Sequence, residues 1–164
     1  MANYQNQNLD NREFIGIPGS DIVWKHMELA NGRNGNRYFA IKLTEEFAAE
    51  LEAEGWPVIW YTKDDDQENA LPYLKVFIKY GTRFPVDIYM VNANRKTKTL
   101  LEESDLDNLH VDSIPLDSID LIIHAYYWTY NDDHGVKAQV DCMNIYPKQR
   151  GFDDDLEIVY KSQD

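Results

Sequence analysis

The sequence lacks most of the features that identify enzymes, metal proteins and membrane proteins. A single cysteine, Cys142, excludes an internal disulfide and a thiolate-bound metal cluster. The four histidines have no metal-ligand spacing, and the chain has no glycine-rich phosphate loop and no nucleophilic serine elbow. No apolar run approaches the roughly 18 residues of a membrane span, and the polar N-terminus has no apolar signal core. We therefore expect a cytoplasmic binding protein without catalytic residues, metal or cofactor.

Positive charge is also scarce, but it is concentrated. Lysine and arginine number 16 against 29 aspartates and glutamates, so the net charge is −13. Residues 72–101 nevertheless hold six cations and one anion, Asp87. The acidic residues gather in 45–54, 64–68, 102–120 and the C-terminal tail. Because the distribution of charge decides what a surface binds, the negative total does not exclude an anionic partner.

Length and hydropathy patterning predict one β-rich domain. The chain has 164 residues, of which 43% are hydrophobic, enough for a single core. Alternating residues predict strands over 37–43, 57–63, 72–80, 118–130 and 136–146, and 86–91 is predicted to pair back on 72–80. Thr44 as N-cap and Gly55 as the stop bound one clear helix. An irregular acidic connection with a short helix spans 100–116. The predicted architecture is mainly β, a small antiparallel barrel with one inserted helix, with a β-sandwich as the rival.

Aromatic and cationic side chains alternate on one predicted strand. In 72–80, one face carries Tyr73, Lys75, Phe77 and Lys79, because successive side chains of a strand point to opposite faces. Exposed rings that stack on bases, and cations that follow the phosphates, are what binding to single-stranded nucleic acid needs. An ordinary solvated face with Phe77 under the helix is the alternative interpretation. Further side chains would flank this face from the next strand and loop: Arg83, Tyr89, Arg95, Lys96 and Lys98.

A second aromatic set lies on the predicted C-terminal hairpin, whose loop is predicted over 131–135. Tyr126, Trp128 and Tyr130 share one face, Tyr127 lies on the other, and Lys137 is on the returning strand. Both faces cannot easily be core in a small barrel, so one set is expected to meet a loop, a partner or a ligand. A core with a tyrosine-rich rim is the alternative interpretation. Trp56, Trp60 and Tyr61 raise the same question.

The C-terminal tail is acidic, with its carboxylates at Asp153, Asp154, Asp155 and Glu157. Such a segment can dock on basic surfaces of partner proteins, or occupy the chain's own cationic groove until DNA displaces it. A solubilising terminus is the alternative. The predicted organisation is a flexible N-terminus over 1–12, a binding domain over 13–147 and the tail over 148–164.

Several short segments resemble a family of single-stranded DNA-binding proteins from bacteriophages and prophages. They span about residues 37–142 and form a diffuse pattern: Tyr38 to Leu43, Gly55 to Val58, Leu71 to Val76, Lys98 to Leu101, Asp120 to Ile123 and Gly135 to Ala138. The resemblance implies an OB-fold, sequence-tolerant binding of single strands in the host cytoplasm, a role in phage DNA replication or recombination, and an acidic tail for partner proteins. This tail departs from the family pattern, because it ends in Lys161-Ser162-Gln163-Asp164 and not in a hydrophobic residue.

The predicted DNA-binding set combines both aromatic constellations with the nearby cations. Replication or recombination proteins are the expected partners of the tail, and a homodimer is left open. Two other functions also remain open: an acidic inhibitor or DNA mimic that binds a host enzyme, and a carbohydrate- or protein-binding β-domain. The predicted DNA contacts are Arg37, Tyr73, Lys75, Phe77, Lys79, Arg83, Tyr89, Arg95, Lys96, Lys98, Tyr126, Trp128 and Lys137.

Overall fold

Nine strands and two helices organise the residues that the computed structural model describes, which are 9–31, 35–62, 69–92 and 94–148. Short 3-10 turns at Gly19–Asp21 and Val111–Ser113 complete the order. The strands are β1 Arg12–Pro18, β2 Ile22–His26, β3 Arg37–Lys42, β4 Val58–Tyr61, β5 Leu71–Ile78, β6 Asp87–Val91, β7 Lys98–Leu100, β8 Leu116–Tyr130 and β9 Asp133–Pro147, and the helices are α1 Glu45–Glu54 and α2 Glu103–Asn108.

Capping interactions set both ends of α1 and the start of α2. The Thr44 hydroxyl accepts a hydrogen bond from the Phe47 backbone N–H at 3.1 Å, and Gly55 ends α1 in the left-handed region at φ 111°. Both predicted boundaries are confirmed. Helix α2 confirms the short helix in the acidic connection, and it begins with a capping box between Glu102 and Asp105.

The predicted alternation of β5 is confirmed. Leu74, Val76 and Ile78 are buried in the core, while Tyr73, Lys75 and Phe77 lie half-buried on the other face. The long C-terminal hairpin is also confirmed, but its turn is tighter than the predicted loop. Tyr130 pairs with Asp133, so only Asn131 and Asp132 connect β8 to β9.

The strands form one mixed sheet, and this corrects the predicted antiparallel barrel. The main order is β1-β8-β9-β5-β3-β2, with β4 beside β5 and β6 between β7 and β9. Two pairings are parallel, β5 with β9 and β6 with β9. The sheet is not closed, since the outermost strands β1 and β2 do not pair with each other in the described part of the chain.

The predicted pairing of 86–91 with 72–80 is wrong. Strand β6 pairs with β7 and β9 instead. The reason is that both edges of β5 are already occupied. Strand β3 fills one edge, while β4 and β9 share the other, β4 at Leu71 to Leu74 and β9 at Val76 and Phe77. Tyr89 is therefore opposite Leu100 and Asn144, and not on a strand that pairs with β5.

The two predicted termini fall largely outside the described residues. Residues 1–8, and 149–164 with the tail carboxylates, are not described. Leu9, inside the predicted flexible N-terminus, packs against the core, and its backbone N–H donates to the Tyr127 hydroxyl at 3.2 Å. No helix in the described ranges is both long and apolar enough to span a membrane.

Candidate nucleic-acid interface

One face of β5 carries the predicted aromatic and cationic side chains, and β3 extends it. Tyr38 lies opposite Phe77, and Lys42 lies opposite Tyr73. The residues that alternate with them on both strands are buried, so these side chains lie on the opposite face of the sheet. Tyr38 is itself buried and forms the floor of this face, while Tyr73 and Phe77 are partly exposed above it.

Lysine ammonium groups lie over the rings of this face. Lys75 Nζ lies 4.0 Å from the Tyr38 ring centroid and 5.2 Å from that of Phe77. Lys137 Nζ lies 4.7 Å from the Phe77 centroid. These distances are those of cation–π contacts, in which a cation is attracted to the negative face of a ring. Phe77 is thus contacted by lysines from two strands, β5 and β9.

The contact of Lys137 with Phe77 joins the two predicted constellations. Parallel pairing puts Phe77 next to Gln139, two residues from Lys137, and Lys137 pairs with Tyr126 across the hairpin. Tyr126 is 45% exposed. The structure therefore brings the set on β5 and the set on the hairpin onto one face of the sheet.

The remaining hairpin aromatics divide between this face and the opposite one. Trp128 lies over Gly135, where an added Cβ would come within 2.5 Å of the indole, so the glycine is required for the close packing. Tyr130 is highly exposed beside the turn. Tyr127 lies on the opposite face and contacts Leu9 through its hydroxyl. The exposed hairpin set is therefore the one that includes Tyr126.

Besides Tyr38, two further aromatic residues belong to this face and were not in the predicted set. Trp24 stacks on Tyr73, with centroids 4.4 Å apart and planes 27° apart. Tyr61 meets Trp24 edge-on at 5.4 Å. We call Trp24, Tyr61, Tyr73, Lys75, Phe77, Tyr126 and Lys137 the aromatic face.

Trp24 reaches the aromatic face through an irregularity that sequence alternation does not reveal. The register of β2 on β3 shifts between Val23 and His26, and Trp24 has a φ of 48°. A bulge inserts one residue and so changes which face the next side chain occupies. Tyr61 could have been found from the sequence, because alternation in the predicted strand 57–63 puts Trp60 and Tyr61 on opposite faces, so that one of the two rings faces away from the core.

A second cation–aromatic cluster lies on β6, β7 with the turn before it, the start of β8 and the far end of β9. Lys98 Nζ lies 4.0 Å from the Tyr89 centroid, and the Arg95 guanidinium lies 4.5 Å from the Tyr146 centroid. Carboxylates bind this cluster directly. Arg95 pairs with Asp117 at 2.9 Å, and the Tyr146 hydroxyl donates to Asp120 at 2.8 Å, which raises the pKa of Tyr146. We call these six residues the carboxylate-bound cluster.

Residues 5–162 match the family described as "Putative phage ssDNA-binding domain". The chain belongs to this family. The match covers nearly the whole sequence and includes every strand of the aromatic face. The resemblance that the short sequence segments suggested is confirmed.

Two solved structures resemble this phage ssDNA-binding domain. A C-terminally truncated single-stranded DNA-binding protein from bacteriophage Enc34 is 8% identical, with a TM-score of 0.52, 88% of this chain covered and 90% of the other. The single-stranded DNA-binding protein gp2.5 of bacteriophage T7 is 12% identical, with a TM-score of 0.35 and coverages of 88% and 96%. At these identities the Enc34 likeness concerns the fold alone. No curated protein sequence matches the chain.

The contacts of the other predicted cations of this ssDNA-binding domain are with residues outside the aromatic face. Lys79 donates to the Asn36 side chain at 2.8 Å, and Arg83 lies over the Phe84 ring at 5.1 Å. Phe84 is exposed and approaches the His124 ring at 5.6 Å. Lys96 is exposed in the turn before β7. The ring contacts of Arg95 and Lys98 are with Tyr146 and Tyr89, not with Tyr73 or Phe77.

Arg37 must be withdrawn from the predicted DNA contacts of this domain. It is 3% exposed, and its guanidinium donates to both Asp107 oxygens at 2.9 Å, to Glu103 at 3.2 Å and to the Met27 carbonyl at 2.8 Å. Hydrogen bonding to Arg37 lowers the pKa of Asp107 to about 2. Four of the five N–H donors of this buried guanidinium are taken up within the chain, so it is not accessible to a phosphate. Alternation within the predicted strand 37–43 puts Arg37 on the same face as Phe39 and Ile41, and the structure buries all three.

The acidic segment around α2 holds the loop after β2. Asp112 accepts hydrogen bonds from the backbone N–H groups of Met27 and Glu28, both at 2.9 Å, and Asp107 accepts one from Leu29 at 2.9 Å. Glu28 in turn accepts from the Asp112 N–H at 2.9 Å. These carboxylates satisfy backbone donors, and no group of three or more His, Cys, Asp or Glu side chains in the described ranges is arranged to hold a metal ion.

Proposed function

We propose that this domain binds single-stranded DNA on the aromatic face, with bases stacked on its rings and phosphates held by its lysines. The observation that carries the proposal is the position of Lys75 and Lys137 over the Phe77 ring, on a face that also holds the half-buried Tyr73 and the exposed Tyr126. Rings and cations side by side on one face are the two components that sequence-tolerant binding of single strands requires. Membership of the phage ssDNA-binding family supports the same reading.

The lysine–ring contacts indicate how the aromatic face would change when DNA binds. An ammonium group over Phe77 occupies the position that a base would take. When a base stacks on the ring, the flexible lysine side chain can move to the neighbouring phosphate. The ammonium group then pairs with the phosphate and no longer with the ring. Base and phosphate are then bound by one residue pair, and any base can be accepted because every base has a π-face.

A preference for single strands follows from the same geometry. Bases within a duplex are already stacked on their neighbours, so their faces are closed to Phe77 and Tyr73. Labelled oligo-dT should bind at least several-fold more tightly than a duplex of equal length, in mobility-shift assays at two salt concentrations. Equal affinity for both forms would rule out binding by stacking on this face.

We further propose a role in phage DNA replication or recombination, with Asp153, Asp154, Asp155 and Glu157 available to partner proteins. The support is the acidity of the tail and the family membership. If the tail competes with DNA for the lysines, a chain truncated after residue 150 should bind oligo-dT more tightly and with a smaller salt response. Unchanged binding would leave the tail to partner proteins or to solubility.

A further inference from the structure

We propose that Trp24, Tyr61 and Tyr73 form a base-stacking subsite of their own, which extends the DNA path beyond the lysine-bearing position at Phe77. The inference rests on the proposed function and assigns a separate role, stacking without a lysine over the ring, to the part of the aromatic face formed by Trp24, Tyr61 and Tyr73. The lysine contacts of the face gather on Tyr38 and Phe77, whereas the ring contacts of Trp24, Tyr61 and Tyr73 are with one another. We call the Phe77 end, where lysines lie over rings, the cationic end, and the Trp24 end, where rings pack on one another, the aromatic end.

The backbone at Trp24 is held in a conformation that bulky residues rarely adopt. Its φ of 48° lies in the left-handed region, which costs energy for any residue with a Cβ. The irregularity between Val23 and His26 turns the indole away from the core side of Ile22 and onto Tyr73. A strained backbone that serves to present an aromatic side chain on a surface is typical of a binding site.

Exposed apolar side chains surround this ring cluster on the same face. Ile59 pairs with Tyr73, and Tyr61 pairs with Leu71, so all four point to one side of the β4–β5 pair. Ile59, Tyr61 and Leu71 are each between 38% and 45% exposed. Large apolar side chains that cluster on a surface, and are not scattered singly, mark an interaction site.

The occupant that fits this patch is the continuation of the DNA strand that lies over Phe77. Tyr73 belongs to both ends of the face, since it stacks with Trp24 and is two residues from Lys75 on β5. A strand leaving the cationic end along β5 therefore reaches the Trp24–Tyr61 rings next. Bases held there are bound by stacking, so their contribution should depend little on salt.

The test compares two neighbouring residues of β4 that are about equally exposed. Tyr61, 45% exposed, lies on the aromatic face, whereas Trp60, 42% exposed, alternates to the other side and donates from its indole to Glu52 at 3.0 Å. Tyr61→Ala should weaken binding of labelled oligo-dT by roughly five- to a hundredfold with an unchanged log–log salt slope. Trp60→Ala should bind as the unsubstituted chain does.

A variant at Trp24 tests the subsite from the second strand. Trp24→Gly removes the ring, and glycine accepts the positive φ without strain, so the bulge is retained. It should weaken binding over the same range, and most of the quenching of tryptophan fluorescence by oligo-dT should be lost. Thermal melts of each variant identify any loss of folding, and Tyr61→Ala stands alone if Trp24→Gly does not fold.

The outcomes separate this inference from the proposed function. If the unsubstituted chain binds oligo-dT and Lys137→Ala weakens that binding, but Tyr61→Ala and Trp24→Gly bind normally, the subsite does not exist and the cationic end alone binds DNA. The same conclusion follows if Tyr61→Ala and Trp60→Ala weaken binding equally. If the unsubstituted chain does not bind oligo-dT, both proposals fail.

Discussion

Arg37 and Lys137 are cations on strands of the same sheet, and the protein uses them in opposite ways. Arg37 lies on the core side of β3, where two carboxylates and a backbone carbonyl take up its donors. Lys137 lies over an aromatic ring on the outer face, and no ion pair joins it to a carboxylate within the described ranges. What a cation can bind is therefore decided by the groups around it, more than by its own charge.

The same comparison explains how a chain of net charge −13 can present a surface for an anion. Several carboxylates of the 102–120 segment are already committed to Arg37 and to backbone N–H groups of the loop after β2. Part of the negative charge of this segment is therefore compensated by Arg37, while Lys137 lies over a ring. At physiological ionic strength, exposed charges more than about 8 Å apart are largely screened from one another.

The largest effect should come from removing the buried cation. Arg37→Met should lower the free energy of unfolding by about 3 kcal/mol, because Asp107, Glu103 and the Met27 carbonyl lose their partner. The loss stays below the upper end for buried pairs, since the side chains of Asp107 and Glu103 are 39% and 51% exposed and remain hydrated. Denaturant unfolding measures the change. Affinity for oligo-dT, measured well below the melting temperature, should be unchanged. Weaker binding by the folded variant would mean that Arg37 does contact DNA.

The second largest effect is expected at Phe77, where substitution should weaken DNA binding and leave stability nearly unchanged. Phe77→Ala should cost about 1–3 kcal/mol of oligo-dT binding, as expected for one stacked base. Its melting temperature should change little, because Phe77 lies outside the core cluster. Phe47, on α1 and in edge contact with Phe14 at 5.7 Å, is the matched control: Phe47→Ala should lower stability and leave binding intact. A large loss of stability in Phe77→Ala would assign the ring to the core.

The parts of this picture that the sequence predicts are those with local causes. Thr44 and Gly55 bound α1 because the capping hydroxyl and the left-handed glycine act on adjacent residues. The two faces of β5 follow from alternation alone. The features that could not be predicted depend on distant residues. The strand order of β6 depends on which edges of β5 are occupied, and the burial of Arg37 depends on Asp107, 70 positions away.

The same distinction between local and distant causes holds for the candidate site. Both aromatic constellations could be recognised separately, but only the parallel register of β5 and β9 brings Lys137 to Phe77. Trp24 could not be assigned to either face, because its position depends on a bulge. A sequence pattern identifies side chains that can bind, and the sheet register decides which of them bind together.

A moderate effect is expected when an outer cation is removed. Lys137→Ala should weaken oligo-dT binding at low salt and reduce the log–log salt slope by roughly 0.7, the value for one phosphate contact on a single strand. Lys148→Ala is the control, since it removes the same charge from an exposed position just beyond β9. It should leave the slope nearly unchanged. Equal slopes for Lys137→Ala and the unsubstituted chain would mean that this lysine contacts no phosphate.

A smaller effect should appear in the acid stability of the Arg37 site. The pKa of Asp107 is lowered to about 2 by its hydrogen bond from Arg37, against about 3.9 in an unfolded chain. A lowered pKa adds stability above the unfolded value, and this stability is lost as the pH falls from about 4 towards 2. Thermal melts of Asp107→Asn should therefore show a shallower decline between pH 4 and 2 than the unsubstituted chain. Parallel declines would mean that another carboxylate controls acid unfolding.

The smallest effect, and the sharpest test of the comparison, concerns Arg95, whose surroundings share features with those of both Arg37 and Lys137. Like Lys137 it lies over a ring, and like Arg37 it is held by a carboxylate, Asp117. An exposed pair of this kind is worth at most about 1 kcal/mol, so Asp117→Asn should hardly alter stability. It should raise oligo-dT affinity a few-fold, with a salt slope steeper by up to roughly 0.7, because the freed guanidinium can take a phosphate.

A double-mutant cycle assigns that gain to Arg95. Arg95→Ala alone should bind almost as the unsubstituted chain does, because Asp117 already neutralises the guanidinium, and combined with Asp117→Asn it should abolish the gain. The non-additivity is the expected signature, since loss of a negative charge by itself would act equally with or without Arg95. If Arg95→Ala alone weakens binding as much as Lys137→Ala, the carboxylate-bound cluster belongs to the DNA path, and neighbouring carboxylates do not decide which cations are available.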